Sequence, residues 1–294
     1  VPSLRKNNRT QVKEMGTSVN FFKTLRLSIA CFAALALLNA ALAEELVIPG
    51  SGNPEYVLAK LAAAFNAQQT QHSVSVPPST GTAGALRDVE AGTASLGRVG
   101  RPLKPEEQAK GLTYVAIGRD AVVFVAGAGV TARNITQAQV ADVYTGKVSD
   151  WSDLGGKPGP IRAIGREVTD TSRQSIGRII KPLATIALAD SVKMAHLDPQ
   201  MIELLDRFPT SLGFLNQSAL HACKTRVVNL ALDGIEPTPE NVGNGRYPLW
   251  LEFGLIYKPN ALTPAGKAFL EFVQSPAGSR ILREHGVLPA STAR

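Results

Sequence analysis

With two cysteines in 294 residues, the chain has no means of building a disulfide framework. One of the two, Cys31, lies in an N-terminal apolar segment, so removal of that segment leaves Cys223 alone. A lone thiol of this sort is read as buried and inert. Histidine is scarce as well: His72, His196, His221 and His285 show neither metal-ligand spacing nor a motif partner. No G-x-S-x-G elbow, P-loop or paired-cysteine motif occurs, which removes the common hydrolase and nucleotide-binding chemistries. A phosphatase would have only Asp170 beside Arg166 to work with. The chain is therefore read as a non-enzyme with no metal and no cofactor. Aromatic residues make up only 6% and do not interleave with a dense basic stripe, so nucleic acid is not an expected partner. No apolar run reaches the ~20 residues of a membrane-spanning helix.

The charge that is present is unevenly placed. The net charge is +7, but residues 1–43 hold six basic side chains (Arg5, Lys6, Arg9, Lys13, Lys23, Arg26) against Glu14 alone. The remainder carries 25 basic and 23 acidic residues, a net of +2, so the basic balance belongs to the N-terminus. There Lys23 and Arg26 precede an apolar run, Leu27 to Leu38, followed by Ala41-Leu42-Ala43. A positive n-region, a short apolar core and an A-x-A site together make a secretory signal peptide. Cleavage is expected after Ala43, which gives a mature chain from Glu44 in the periplasm. Met15 is the expected start of the signal, with residues 1–14 an upstream extension. Cys31 is followed by more apolar residues, which argues against a lipid-modified N-terminal cysteine.

Beyond Glu44 the recurring unit is strand, small polar turn, capped helix. Residues 46–49 read as a strand ending in Gly50-Ser51-Gly52-Asn53, with Asn53 as N-cap and Pro54 as the first helical residue. Leu58, Leu61 and Phe65 mark the buried face of the helix that follows. A strand at 74–76 leads to Thr80-Gly-Thr-Ala-Gly84, where Thr82 caps a helix that Gly92 stops. Thr136-x-x-Gln139 and Thr171-x-x-Gln174 are capping boxes, and Asp198-Pro199, Thr263-Pro264 and Ser275-Pro276 are further helix starts. Val115 to Val125 and Leu249 to Tyr257 are long β-prone segments that read as strands crossing between lobes. The class is α/β with mainly parallel strands, and ligands of such folds sit beyond the carboxyl ends of strands. Three turns (50–53, 80–84 and 166–172) are rich in Ser, Thr and Gly and end at helix N-termini. Free N–H groups and the helix dipole make such turns anion sites, and Arg101 and Arg166 lie alongside.

These residues carry a resemblance. Asp142-Val-Tyr-Thr-Gly-Lys-Val-Ser-Asp-Trp151, Gly165-Arg166-Glu167, Pro237-Thr-Pro-Glu-Asn-Val242, Tyr247-Pro-Leu and Ser275-Pro-Ala-Gly278 occur in that order over residues 46–290. In this the chain resembles the phosphate-binding component of bacterial phosphate ABC transporters. The resemblance implies a two-lobed type II periplasmic binding protein fold, its mainly parallel sheets joined by two crossing strands. Lobe I would comprise 44–118 plus 253–294 and lobe II 119–252. Inorganic phosphate or a similar oxyanion would be the ligand, an ABC transporter permease the partner, and the monomer the working state. Residue by residue, the implied site comprises Ser51, Gly52 and Asn53; Thr82 and Ala83; Arg101; Arg166; and Thr169, Asp170, Thr171 and Ser172.

The chain departs from the family pattern where the ligand should be held. Asp170 stands where the family has a serine donor, and Gly52 where a hydroxyl is common. Gly100-Arg101 replaces a carboxylate or a Ser-Arg pair, with Arg98 added nearby. Asp170 is open to three readings: a helix cap, a repulsive charge in the cleft, or an acceptor for the proton of monohydrogen phosphate, with Arg98 and Arg101 offsetting its charge. A second function therefore stays open, a secreted accessory or adhesive protein of the same fold with altered or lost ligand binding.

Overall fold

The computed structural model of the chain describes residues 44–290, Lys224 excepted. The signal peptide expected within residues 1–43 lies outside the described residues.

The described residues open with three strand–turn–helix units. They are β1 (Glu44–Val47) with α1 (Glu55–Gln68), β2 (His72–Ser75) with α2 (Gly81–Glu90), and β3 (Gly97–Val99) with the single turn α3 (Pro105–Gln108). α1 buries Val57, Leu58, Leu61, Ala62 and Phe65, the stripe its helical spacing predicts. Phe65 meets Phe269 and Phe272 edge-on, with ring centroids 5.5 Å apart in both pairs. This ties α1 to the helical segment around Phe269 and Phe272 near the C-terminus.

β4 (Thr113–Ala126) organises the rest. After it come β5 (Asn134–Ile135), α4 (Gln137–Tyr144), β6 (Arg162–Gly165), α5 (Thr171–Ile179) and the short α6 (Pro182–Thr185). Next are β7 (Lys193–Met194), α7 (Asp198–Arg207), β8 (Ser211–Asn216), α8 (Gln217–Ala222), β9 (Val228–Asn229), β10 (Ala231–Leu232) and α9 (Pro239–Gly243). The return strand β11 (Trp250–Tyr257) is followed by α10 (Pro264–Gln274), α11 (Pro276–Glu284) and β12 (Val287–Pro289).

The main sheet runs β3-β11-β4-β8-β6-β7 and is mixed. β4 pairs antiparallel with β11 from Thr113 to Ala121 and with β8 from Val122 to Ala126, so one strand serves both halves of the sheet. β6 pairs parallel with β8 and β7. The Ala121–Ala126 stretch is almost wholly buried, as a continuous apolar run on a strand covered on both faces should be. Each of its larger side chains contributes about 1.5–3 kcal/mol by leaving water. The β4–β11 register shifts between Phe253 and Gly254, where a Cβ would lie 2.3 Å from the Val115 carbonyl oxygen. Only glycine allows the two backbones to approach this closely.

Helix starts follow the sequence signals with three displacements. Thr136 and Gln139 form their reciprocal box, and Thr263 and Ser275 cap α10 and α11. The box expected at Thr171 starts one residue earlier: Asp170 caps α5, its Oδ1 accepting from Arg173 N at 2.9 Å. A carboxylate at the positive end of the dipole out-competes a hydroxyl there. Asn53 does not cap α1, whose N-cap is Pro54 without a side-chain bond, and Thr82 lies inside α2, whose N-cap is Thr80.

Candidate functional site: an anion cleft

The first turn is built on a buried arginine. Arg98 on β3 is fully buried and donates to the carbonyls of Ile48, Ser51 and Pro77, with its last hydrogen bond to Glu55 Oε2 at 3.0 Å. Gly50, at φ +138°, passes so close to Arg98 that a Cβ would sit 2.0 Å from the Arg98 carbonyl oxygen. Arg98 therefore shapes the turn from behind and does not offset Asp170, contrary to the sequence expectation.

Ser51, Gly52, Asn53, Thr82, Ala83, Arg101, Arg166, Thr169, Asp170 and Thr171 line one cleft of about 720 Å³. Ser172 stands behind its wall, buried, with Oγ donating to Asn216 Oδ1 at 2.9 Å. The first N–H groups of α2 and α5 have no intrahelical acceptor, because a helix leaves its first turn of donors unpaired. The N-termini of α2 and α5 thus meet at the cleft with Ser and Thr hydroxyls beside them, and the first turns of α1 and α7 reach it through Glu55 and Asp198.

Asn53 joins the first turn to the last. Its Oδ1 accepts from the hydroxyls of Ser51, at 3.2 Å, and Thr171, while its Nδ2 donates to Ser172 Oγ at 2.7 Å and Asn216 Oδ1 at 2.9 Å. Gly100 borders this cluster: a Cβ there would come within 3.0 Å of Ser51 Oγ, Asn53 Oδ1 and Thr171 Oγ1. Three of the hydroxyls expected on a ligand, those of Ser51, Thr171 and Ser172, are thus tied together through a single amide.

Arg166 lies 8% exposed between two carboxylates, Nη2 at 2.9 Å from Asp170 Oδ2 and Nη1 at 3.1 Å from Asp198 Oδ1. Burial pushes the Asp198 carboxyl up to about 6 against the pull of Arg166, with Asp170 and Glu55 adding to the rise. Asp198 Oδ2 is buried with no hydrogen-bond partner. Glu167 is not the partner of Arg166; it meets His196 Nδ1 at 2.7 Å. Arg101 is held by Glu107 through both terminal guanidinium nitrogens, Nη1 and Nη2, at 2.8 and 2.7 Å. The arginines of the cleft are therefore already matched by acids, and an entering anion has to compete for Arg166.

Sequence reasoning missed Asp198, Glu55, Tyr56, Ser79, Thr80 and Lys104, which also line the cleft. Asp198 was read only as a helix start, and an Asp-Pro pair gives no sign that its carboxylate serves a residue 32 positions earlier. Thr80 opens the 80–84 turn and Ser79 adjoins it, so that signal was available.

A family model described as the PBP superfamily domain matches residues 38–277. The phosphate-binding protein PstS of Bacillus subtilis (strain 168) is 25% identical over 252 residues, 84% of this chain and 81% of that protein. Among solved structures, one from Clostridium perfringens, described as a phosphate ABC transporter substrate-binding protein with bound phosphate, superposes with a TM-score of 0.73. It shares 26% identity and covers 84% of this chain and 99% of its own. An ABC-type phosphate transport receptor from Vibrio cholerae shares the fold, with a TM-score of 0.62, 20% identity, and coverage of 83% and 99%. The architecture is the α/β fold of type II periplasmic binding proteins. On the match to residues 38–277, the chain belongs to the PBP superfamily.

Proposed function

We propose that this chain is an exported solute-binding protein that captures phosphate, or a related oxyanion, for uptake through an ABC-type permease. The observation that carries the reading is the convergence of the three turns and Arg166 on one cleft. The names of the Bacillus and Clostridium relatives support phosphate as the ligand. Backbone N–H groups of α2 and α5 would hold the oxyanion with the Ser51, Thr82 and Thr171 hydroxyls, and the Arg166 fork would supply charge. The lobes, 44–118 with 253–294 and 119–252, would close over it, hinging near the β4–β11 register shift. Such proteins are carriers and not enzymes, and the reading needs no cofactor. The accessory or adhesive alternative is not favoured.

Thermal melts of the chain from Glu44 with phosphate, sulfate, a phosphonate and molybdate test the reading. A ligand at a hundred times its Kd stabilises by about 2.7 kcal/mol, so phosphate should raise the Tm. An unchanged Tm with every anion would return the accessory reading. N-terminal sequencing of secreted protein should begin at Glu44, and a start at Cys31 with a lipid adduct would refute release into the periplasm.

A further inference from the structure

Beside Arg166 lies an arginine that the cleft does not use. Arg173, in the first turn of α5, is 7% exposed. Among the described residues, nothing accepts a hydrogen bond from its guanidinium, and its backbone N–H is taken by Asp170. Burial pulls its pKa down, and Tyr144 is the one titratable group that pushes it back. A buried charge without a partner is costly, and this fold otherwise pairs its buried arginines: Arg98 with Glu55, and Arg166 with Asp170 and Asp198. The helix compounds the cost, since a cation in the first turn meets the positive end of the dipole. Arg173 is not sealed in the core either. With Arg166 and Thr185 it forms the polar part of a pocket of about 380 Å³, whose other walls include Val168, Ala184, Ile186, Leu188 and Met194. Val168 is 71% and Ile186 49% exposed, so the pocket rim presents apolar surface to solvent.

We propose that this pocket is a second anion subsite, which takes a small organic monoanion with its carboxylate on Arg173 and a short apolar tail against Val168, Ile186, Leu188 and Met194. An inorganic oxyanion would find few donors on these walls, whereas an aliphatic tail buries surface there. A single negative charge suffices, because of the pocket's two arginines Arg166 is already matched by two carboxylates and Arg173 has no acid partner among the described residues. Arg173 does not line the main cleft, so the inference does not rest on the phosphate reading.

Calorimetric titration of the chain from Glu44 with sodium pentanoate tests it, at constant ionic strength, without phosphate and again with phosphate saturating. Saturable binding is expected in both, weakened at least tenfold by Arg173→Met. Ile186→Glu, a substitution at an exposed position that leaves Arg173 in place, should weaken pentanoate equally while keeping the wild-type circular dichroism spectrum. No binding beyond a sodium chloride control would overturn the proposal, as would unchanged affinity in Arg173→Met. Loss of pentanoate binding on phosphate saturation would put the acid in the main cleft and overturn it equally.

Discussion

Arg166 is held by Asp170 and Asp198 at the same time, so an oxyanion gains its guanidinium only as a carboxylate gives way. Asp170 combines two of its sequence readings: it caps α5 through Oδ1 and lines the cleft with Oδ2 on Arg166. Asp170→Ser keeps a cap, since serine is as good an N-cap as aspartate, and removes one competitor for the arginine. Sulfate affinity should rise about tenfold, or 1.4 kcal/mol. Phosphate should change much less, because the lost repulsion is opposed by the lost acceptor for its remaining proton, which sulfate does not have. Paired titrations of wild type and variant at one pH and salt concentration check this, and parallel shifts for both anions would contradict the acceptor role.

Among the elements, α5 and β4 carry the coupling between distant parts of the chain. Through Asn53, the first turn bonds to Thr171 and Ser172 of α5 and to Asn216 at the end of β8. Asn53→Ala removes these bonds and leaves buried groups unpaired, a loss of about 3 kcal/mol. Denaturant titration measures it, and a loss under 1 kcal/mol would contradict the bridging role. On β4, Asp120 is fully buried and accepts from Ser218 N and Oγ. Burial pushes its carboxyl up to about 7, above the ~4 of an unfolded aspartate. The folded state therefore keeps the proton where the unfolded chain has released it. Stability from this group is full below about pH 4 and falls as pH rises towards 7. Asp120→Asn should flatten the fall in Tm between pH 5 and pH 8, and an unchanged slope would refute the titration. Why Thr136–Gln139, Thr263 and Ser275 were legible in the sequence and Asn53 was not follows from distance. A capping bond closes within three residues, whereas the partners of Asn53 beyond its own turn lie 118, 119 and 163 positions away. Its side chain serves those partners, and the first turn of α1 is left without a side-chain cap.

For the molecule as a whole, the repeated strand–turn–helix pattern made the α/β class legible, and the ordered motif blocks made the family legible. What they did not reveal is the balance of charge in the cleft. Arg98 and Arg101 looked like free cations, but Glu55 and Glu107, whose pairings only the fold creates, neutralise them. Arg166 is left as the cation for which a ligand must compete, and the account stands or falls on it. The most direct test is calorimetric titration of phosphate into the chain from Glu44, wild type and Arg166→Ala side by side. The account predicts saturable one-to-one binding to wild type, weakened at least ~30-fold in the variant, or about 2 kcal/mol. No phosphate binding to wild type, or equal affinity in Arg166→Ala, would contradict it.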